Sequence, residues 1–235
     1  MVAVATAERA RLSAGRSIAA LVLAVVACGH TPARHDATAK HPFDDVPQWV
    51  AVFDDPKRDA WQKPDAVVAA LELRPGMRVA DLGAGTGYFS RRLSQAVGPT
   101  GTVFAVDPEP NLVGYLRTRA EREHTDNVVP VLGSFDNPRL PAGVIDLVLI
   151  VDTFHHIDDR LTYFRKLQHV LAPGGRVAVV DWQQGKLAVG PPPEHKLARD
   201  VVVDEMQQAG YRLVVAPDVL PYQYLLVFTA GPAHP

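Results

Sequence analysis

The first residues to invite a chemical reading are Asp81-Leu82-Gly83-Ala84-Gly85-Thr86-Gly87. Glycines at alternate positions let the main chain turn tightly and approach a ligand closely, since no Cβ intervenes. The carboxylate of Asp81, two residues ahead of Gly83, sets the charge of that ligand: it repels a pyrophosphate and attracts an ammonium. A dinucleotide-binding turn also requires G-x-G-x-x-G, and Tyr88 stands where the third small residue belongs. A second carboxylate, Asp107, closes the next apolar run. Farther on, His155-His156 and Glu194-His195 supply imidazoles, whose proton affinity near neutral pH suits a general base.

The elements that must position these groups are visible as alternating patterns. Residues 78–82, 102–106, 128–132, 145–151 and 176–181 are near-continuous apolar runs, as parallel strands covered on both faces require. Between them, residues 64–71, 88–97, 111–123 and 158–171 carry helical spacing. In the last of these Leu161, Phe164, Leu167, Val170 and Leu171 share one face, with Asp158 placed to cap the start and Pro173-Gly174-Gly175 to stop it. A Gly/Pro-rich loop over 183–195, a helix near 198–209 and two closing strands, 211–216 and 224–229, complete the chain. The short link between those two strands predicts antiparallel pairing. The whole pattern predicts an α/β fold, a doubly wound and mostly parallel sheet that binds its ligand where the strand order reverses.

With 47% hydrophobic and 21% charged residues, the chain has the composition of an ordinary globular domain. A net charge of −2 and the lack of a basic stripe argue against nucleic acid as a partner. His155, His156, Asp158 and Asp159 do not form a ligand set at helical or hairpin spacing, so no metal is expected.

The chain resembles the class I S-adenosylmethionine-dependent methyltransferases over most of residues 60–230. Asp81 through Gly87 matches their first motif, and Ala105-Val106-Asp107 matches the acidic residue that binds the ribose hydroxyls. Ile145-Asp146-Leu147-Val148 followed by Phe154-His155-His156-Ile157 matches the fourth-strand motif of a small-molecule branch, type 11-like, that includes quinone-biosynthesis methyltransferases. Leu171-Ala172-Pro173-Gly174-Gly175 matches the turn before strand five. The resemblance implies a Rossmann-like sheet of seven strands with the last antiparallel, and S-adenosylmethionine as cofactor. That molecule carries an ammonium and a sulfonium and no phosphate, in keeping with Asp81. The resemblance also implies that Asp81, Gly83, Gly85, Gly87, Asp107 and Asp152 hold it, and that the acceptor is a small molecule or lipid-like. Members often place an acidic residue after the glycine that ends strand three, to bind the adenine amino group. Here the run is Gly133-Ser134-Phe135-Asp136, which leaves Ser134 or Asp136 for that contact.

Methyl transfer from a sulfonium is a one-step displacement, so no fixed triad is expected. A hydroxyl or ammonium acceptor needs a base, for which His155, His156 and His195 are the candidates. Arg58, Trp61 and Gln62, just ahead of the first core helix, and residues 221–224 are candidates for cleft contacts. A nicotinamide-dependent oxidoreductase is disfavoured by Asp81 and the glycine spacing. A non-catalytic S-adenosylmethionine-binding lipoprotein is the other alternative, prompted by the N-terminus.

That N-terminus carries Arg9, Arg11 and Arg16, then an apolar stretch over 18–27, then Cys28, the only cysteine. The order is that of a secretory signal peptide. Val25-Val26-Ala27-Cys28 resembles the bacterial lipobox. It predicts a signal peptide over 1–27, a lipidated Cys28 that holds an exported protein at a membrane surface, a flexible tether over 28–42 and a methyltransferase domain over 43–235. The alternative is a start codon assigned too far upstream and a cytoplasmic protein.

Overall fold

The computed structural model describes residues 43–231. The expected signal peptide, Cys28 and tether lie outside the described residues.

The predicted α/β architecture is present. Seven strands, β1 (Arg78–Leu82), β2 (Thr102–Asp107), β3 (Val128–Leu132), β4 (Ile145–Val151), β5 (Leu171–Trp182), β6 (Tyr211–Val215) and β7 (Gln223–Ala230), form one sheet in the order β3-β2-β1-β4-β5-β7-β6. The first five are mutually parallel, and β7 runs antiparallel to both β5 and β6. The reason lies in the side chains. Leu147 and Leu149 of β4 enter one core with Val67, Leu71, Leu93 and Val97, while Val148 and Ile150 enter the other with Phe164, Val202 and Met206. A strand whose alternating faces both enter a core must be apolar throughout, which is why its periodicity is invisible in the sequence.

The helices that cover the sheet are α3 (Pro64–Ala70) and α4 (Ser90–Val97) on one face and α6 (Arg160–Leu167) and α7 (Arg199–Gln208) on the other. Helix α5 (Pro110–Glu123) joins β2 to β3. Ahead of them lie α1 (Val46–Phe53) and the short α2 (Asp59–Gln62). The chain runs outward from β1 through β2 to β3, then returns to the other side of β1 for β4 and β5. The reversal point therefore sits between β1 and β4, and the loops beyond their C-terminal ends diverge to leave a cleft.

Two local expectations are corrected. Asp159 caps α6, its carboxylate accepting from the Thr162 amide at 3.3 Å, so the cap is not Asp158. Nor does Pro173-Gly174-Gly175 stop that helix, which ends at Leu167 and tightens to a 3-10 turn over Gln168–Val170. The triplet lies inside β5, where the register with β4 jumps between Ile145 and Leu147 and takes up the extra residues.

Candidate functional site

The cleft at the reversal point is a cavity of about 650 Å³. That falls in the range of roughly 300–1,000 Å³ typical of small-molecule and cofactor sites. Its first half is built from β1, β2 and the loop after β3. Gly83 and Gly85 have φ of +76° and +57°, where a Cβ is strained, and a Cβ on Gly83 would lie 2.2 Å from Thr153 Oγ1. On Gly85 it would meet the Phe53 ring at 3.3 Å, so glycine brings the main chain flush with the cavity wall. Gly87, at φ +87°, shares the loop.

Two buried carboxylates flank that loop. Asp81 accepts from the Ser90 hydroxyl at 2.6 Å, and Asp107 accepts from the Gly85 and Glu109 amides at 2.9 and 3.0 Å. Burial raises both to about 6, against the lowering pull of those hydrogen bonds. Ser134 lines the cavity beside Gly133 and Phe135, whereas Asp136 lies exposed outside it. Asp136 accepts the Ser134 hydroxyl at 2.7 Å, a bond that holds its carboxyl below the usual range. Of the two residues expected to reach an adenine, only Ser134 is therefore at the cavity.

The segment ahead of α3 is tied down over this loop by side chains. Asp54 accepts from Thr86 Oγ1 at 3.1 Å and pairs with Arg119 at 2.6 Å. Asp59 accepts from the Tyr88 hydroxyl and from Arg92. Arg58, Gln62, Gln223 and Asp152 close a ring of four. Arg58 Nε donates to Gln62 at 3.2 Å, and Gln62 donates to Gln223 at 2.6 Å. Gln223 in turn donates to Asp152, and Arg58 Nη2 reaches the other oxygen of Asp152 at 3.5 Å. Burial raises Asp152 to about 7 in spite of Arg58. The sequence expectation for Arg58 and Trp61 holds in that both line the cavity, while Gln62 is wholly buried in the ring behind it. Gln223 was reachable only as part of the stretch 221–224.

The second half of the cavity lies beyond β4 and β5. His155 lines it and is buried, with Nδ1 at 2.9 Å from both carboxylate oxygens of Asp181. Burial alone would lower the imidazole's proton affinity, but the Asp181 hydrogen bond and charge outweigh it, and the net shift is upward. Asp181 has no solvent exposure and also accepts the Trp182 amide at 2.8 Å. His156 lines the cavity with an exposed ring that packs on His155, centroids 4.1 Å apart, and His195 is exposed at the rim. Trp61 and Trp182 pack at 5.2 Å, and both line the cavity, as do Ile157 and Tyr163. Asp181 and Trp182 were missed as site residues. A carboxylate at the end of strand five is the one signal that marked the former. Among the described residues no group of three metal-ligating side chains occurs, and no helix is long and apolar enough to cross a membrane.

Residues 79–175 match the model of a family described as a methyltransferase domain. A ubiquinone/menaquinone biosynthesis C-methyltransferase from Shewanella frigidimarina is 30% identical over 142 residues, which cover 60% of this chain and 53% of the relative. The chain thus spans about half the length of the curated relatives it matches. A crystal structure of a SAM dependent methyltransferase from Aquifex aeolicus superposes with a TM-score of 0.74 at 28% identity, over 78% of this chain and 97% of that one. The crystal structure of a putative type 11 methyltransferase from Sulfolobus solfataricus superposes with a TM-score of 0.56 at 19% identity over 68% and 87% of the two chains, a likeness of fold alone.

Proposed function

We propose that the protein, which has the Rossmann-like fold of the class I methyltransferases, transfers a methyl group from S-adenosylmethionine to a small-molecule or lipid-like acceptor. The observation that carries this is the pair of buried carboxylates, Asp81 and Asp107, at the glycine loop. They leave no place for a pyrophosphate, which argues against a dinucleotide.

The residues present fit S-adenosylmethionine. Asp81 offers a negative charge at a wall stripped of Cβ atoms, suited to an ammonium. Asp107 is held by two amides at the end of β2 and keeps its remaining lone pairs for the ribose hydroxyls. Ser134 stands at the adenine end. Bound there, the cofactor supplies an electrophilic methyl carbon. The protein's task is then alignment and exclusion of water, and in favourable cases alignment alone lowers a barrier by roughly 7–11 kcal/mol. The segment from Phe43 to Phe53 covers the loop with a stack of rings, Phe43 and Trp49 at 4.8 Å and Trp49 and Phe53 at 5.3 Å.

The biosynthetic role in the Shewanella relative's name supports a small-molecule acceptor. The lipobox-like end of residues 25–28 supports anchoring through Cys28, to which each buried acyl methylene adds ~0.8 kcal/mol. Fractionation of the native protein against Cys28→Ala tests that part, and an unchanged distribution sinks it. A thermal-shift series with S-adenosylmethionine, its demethylated product and NAD tests the activity's premise. A ligand at ~100 times its dissociation constant stabilises by about 2.7 kcal/mol. Stabilisation by the first two and not by NAD is expected, and no shift with either sulfur ligand overturns the reading. Labelled methyl transfer to a cell extract is expected to vanish in Asp81→Ala and to persist in Asp65→Ala, whose carboxylate is exposed and pairs with Arg92.

A further inference from the structure

From the half of the cavity beyond β4 and β5, we infer that the methyl acceptor is an aromatic hydroxyl compound, methylated on oxygen, and that His155, oriented by Asp181, takes its proton. The inference rests on the proposed S-adenosylmethionine-dependent activity and adds the substrate class and the catalytic residue.

Three observations carry it. The first is the dyad. With Nδ1 of His155 at 2.9 Å from both oxygens of Asp181, the proton on that nitrogen is donated to the carboxylate, and the lone pair belongs to Nε2. Asp181 is itself satisfied by His155 and the Trp182 amide, so the imidazole has one orientation and one tautomer. An imidazole fixed in this way beside a cavity is a base, and its two neighbours are not equivalent to it. His156 is exposed, and His195 sits at the rim.

The second is the wall. Trp61 and Trp182, with ring centroids 5.2 Å apart, line the cavity, and Pro191 is in the same lining. Offset rings of this kind favour a planar aromatic guest. The third is the charge. Among the described residues lining the cavity, Arg58 is the one guanidinium, and three of its five N–H groups are engaged by Phe53 O, Gln62 and Asp152. Its charge is offset by Asp152, and among the described lining residues there is no lysine and no second arginine to neutralise a carboxylate or phosphate on the acceptor. A neutral ring bearing a weakly acidic hydroxyl meets all three conditions. A phenolic proton, with a pKa near 10, is within reach of an imidazole base, whereas an aliphatic alcohol is far weaker.

The step balances without a further reagent. The hydroxyl oxygen forms the new bond to the methyl carbon, and the carbon–sulfur bond breaks with its electron pair remaining on sulfur, so that the sulfonium becomes a neutral thioether. The hydroxyl proton passes to Nε2 of His155 and from there to solvent. The charged and titratable groups around that imidazole are Asp181 on β5, Asp152 at the end of β4, Arg160 on α6 and the adjacent His156. The carboxylates raise its proton affinity and Arg160 lowers it.

The test uses 2-naphthol and its thiol analogue, 2-naphthalenethiol, as acceptors for the full chain. The thiol ionises at neutral pH without help, so it needs no base. His155→Gln is expected to lower kcat with the naphthol by 10²–10⁴-fold and with the thiol by less than threefold. The cofactor-induced thermal shift should stay unchanged. In the wild-type protein kcat with the naphthol should rise with pH as His155 loses its proton, and with the thiol that limb should be absent. Asp181→Asn should move the limb to lower pH as well as lower its plateau, because Asp181 raises the proton affinity of His155. A merely structural tie would depress the plateau and leave the limb in place. Equal losses with both acceptors, a carbon-methylated product, or no turnover of either acceptor by a protein that still binds S-adenosylmethionine overturns the inference and leaves the cofactor assignment standing. Absence of the cofactor shift in the wild type overturns the cofactor assignment instead, and this inference with it.

Discussion

The two halves of the cavity are made in different ways. On the side of β1 and β2, the decisive contacts join groups close in sequence and mostly use the main chain: Asp81 to Ser90, nine residues apart, and Asp107 to the amides of Gly85 and Glu109, twenty-two and two apart. On the side of β4, β5 and the covering segment they are side chain to side chain and two of the three are distant: Gln62 to Gln223 at a separation of 161 and Arg58 to Asp152 at 94, with His155 to Asp181 at 26. A cofactor common to a fold is met by backbone geometry that tolerates little change. An acceptor particular to one protein is met by side chains that can be exchanged without rebuilding the sheet.

The comparison is put under most strain by Gly83→Val. A Cβ there would lie 2.2 Å from Thr153 Oγ1 at a φ of +76°, so loop and strand end must both shift. Destabilisation of about 4 kcal/mol in denaturant titration is expected, together with loss of the cofactor shift. A variant that melted and bound like the parent would show that the loop is not the rigid half. Gln223→Ala strikes the other half. It leaves the buried Gln62 carboxamide and the Asp152 carboxylate each short of a partner, at a cost of about 2–3 kcal/mol. In a double-mutant cycle with Gln62→Ala the losses should fall short of additivity by about 1 kcal/mol, since either change opens the same ring. Cofactor affinity should move by less than tenfold, because no member of that ring is a backbone group of the glycine loop.

The same difference explains what the sequence makes legible. The five parallel strands follow from continuous apolar runs, and Asp81, the glycines and Asp107 follow from a local motif whose chemistry excludes phosphate. Asp136 shows the limit of a pattern with one residue of freedom. It stands next to Phe135 in the sequence, yet the chain turns back at Ser134 and Asn137, whose amides and carbonyls bond each other, and carries Asp136 outside the cavity. Two adjacent aspartates likewise made the cap of α6 ambiguous, since either can reach the next turn. Asp181 could not be found as the partner of His155, because nothing local couples residues at the ends of two neighbouring parallel strands. Only their pairing in register from Val148 opposite Val177 to Val151 opposite Val180 brings the two strand ends side by side.

A smaller effect, opposite in sign for folding and for binding, separates the halves again. Asp81→Asn removes the charge suited to an ammonium, one charge-assisted contact worth about 1.5–3 kcal/mol, so cofactor affinity should fall by roughly 10–100-fold. Without cofactor the same change should stabilise the protein at pH 8 by roughly 2 kcal/mol, since an ionised carboxylate that burial has pushed up to about 6 opposes folding at that pH. Loss of stability on substitution would mean that Asp81 is a structural group and only incidentally near the ligand.

The smallest effect is the slope with pH. From about pH 4 to about pH 6 the folded protein keeps protons on Asp81 and Asp107 that the unfolded chain has released, so their contribution to stability falls as pH rises through that window. His155, raised above its ordinary value, gives a contribution present at low pH and lost as pH rises through its folded value, which is the same direction. The wild-type protein without cofactor should therefore be less stable at pH 8 than at pH 5 by on the order of 1 kcal/mol relative to Asp81→Asn measured at the same two values. Cofactor binding must run the other way, because an ammonium is held by the ionised form of Asp81, so the cofactor-induced shift should grow over the interval in which the protein alone weakens. His155→Gln should flatten only the stability slope, and Asp81→Asn should flatten both, because one imidazole serves the acceptor half and one carboxylate serves the cofactor. If His155→Gln also abolished the growth of the cofactor shift, the halves would be one electrostatic unit, and the division drawn from their hydrogen bonds would fail.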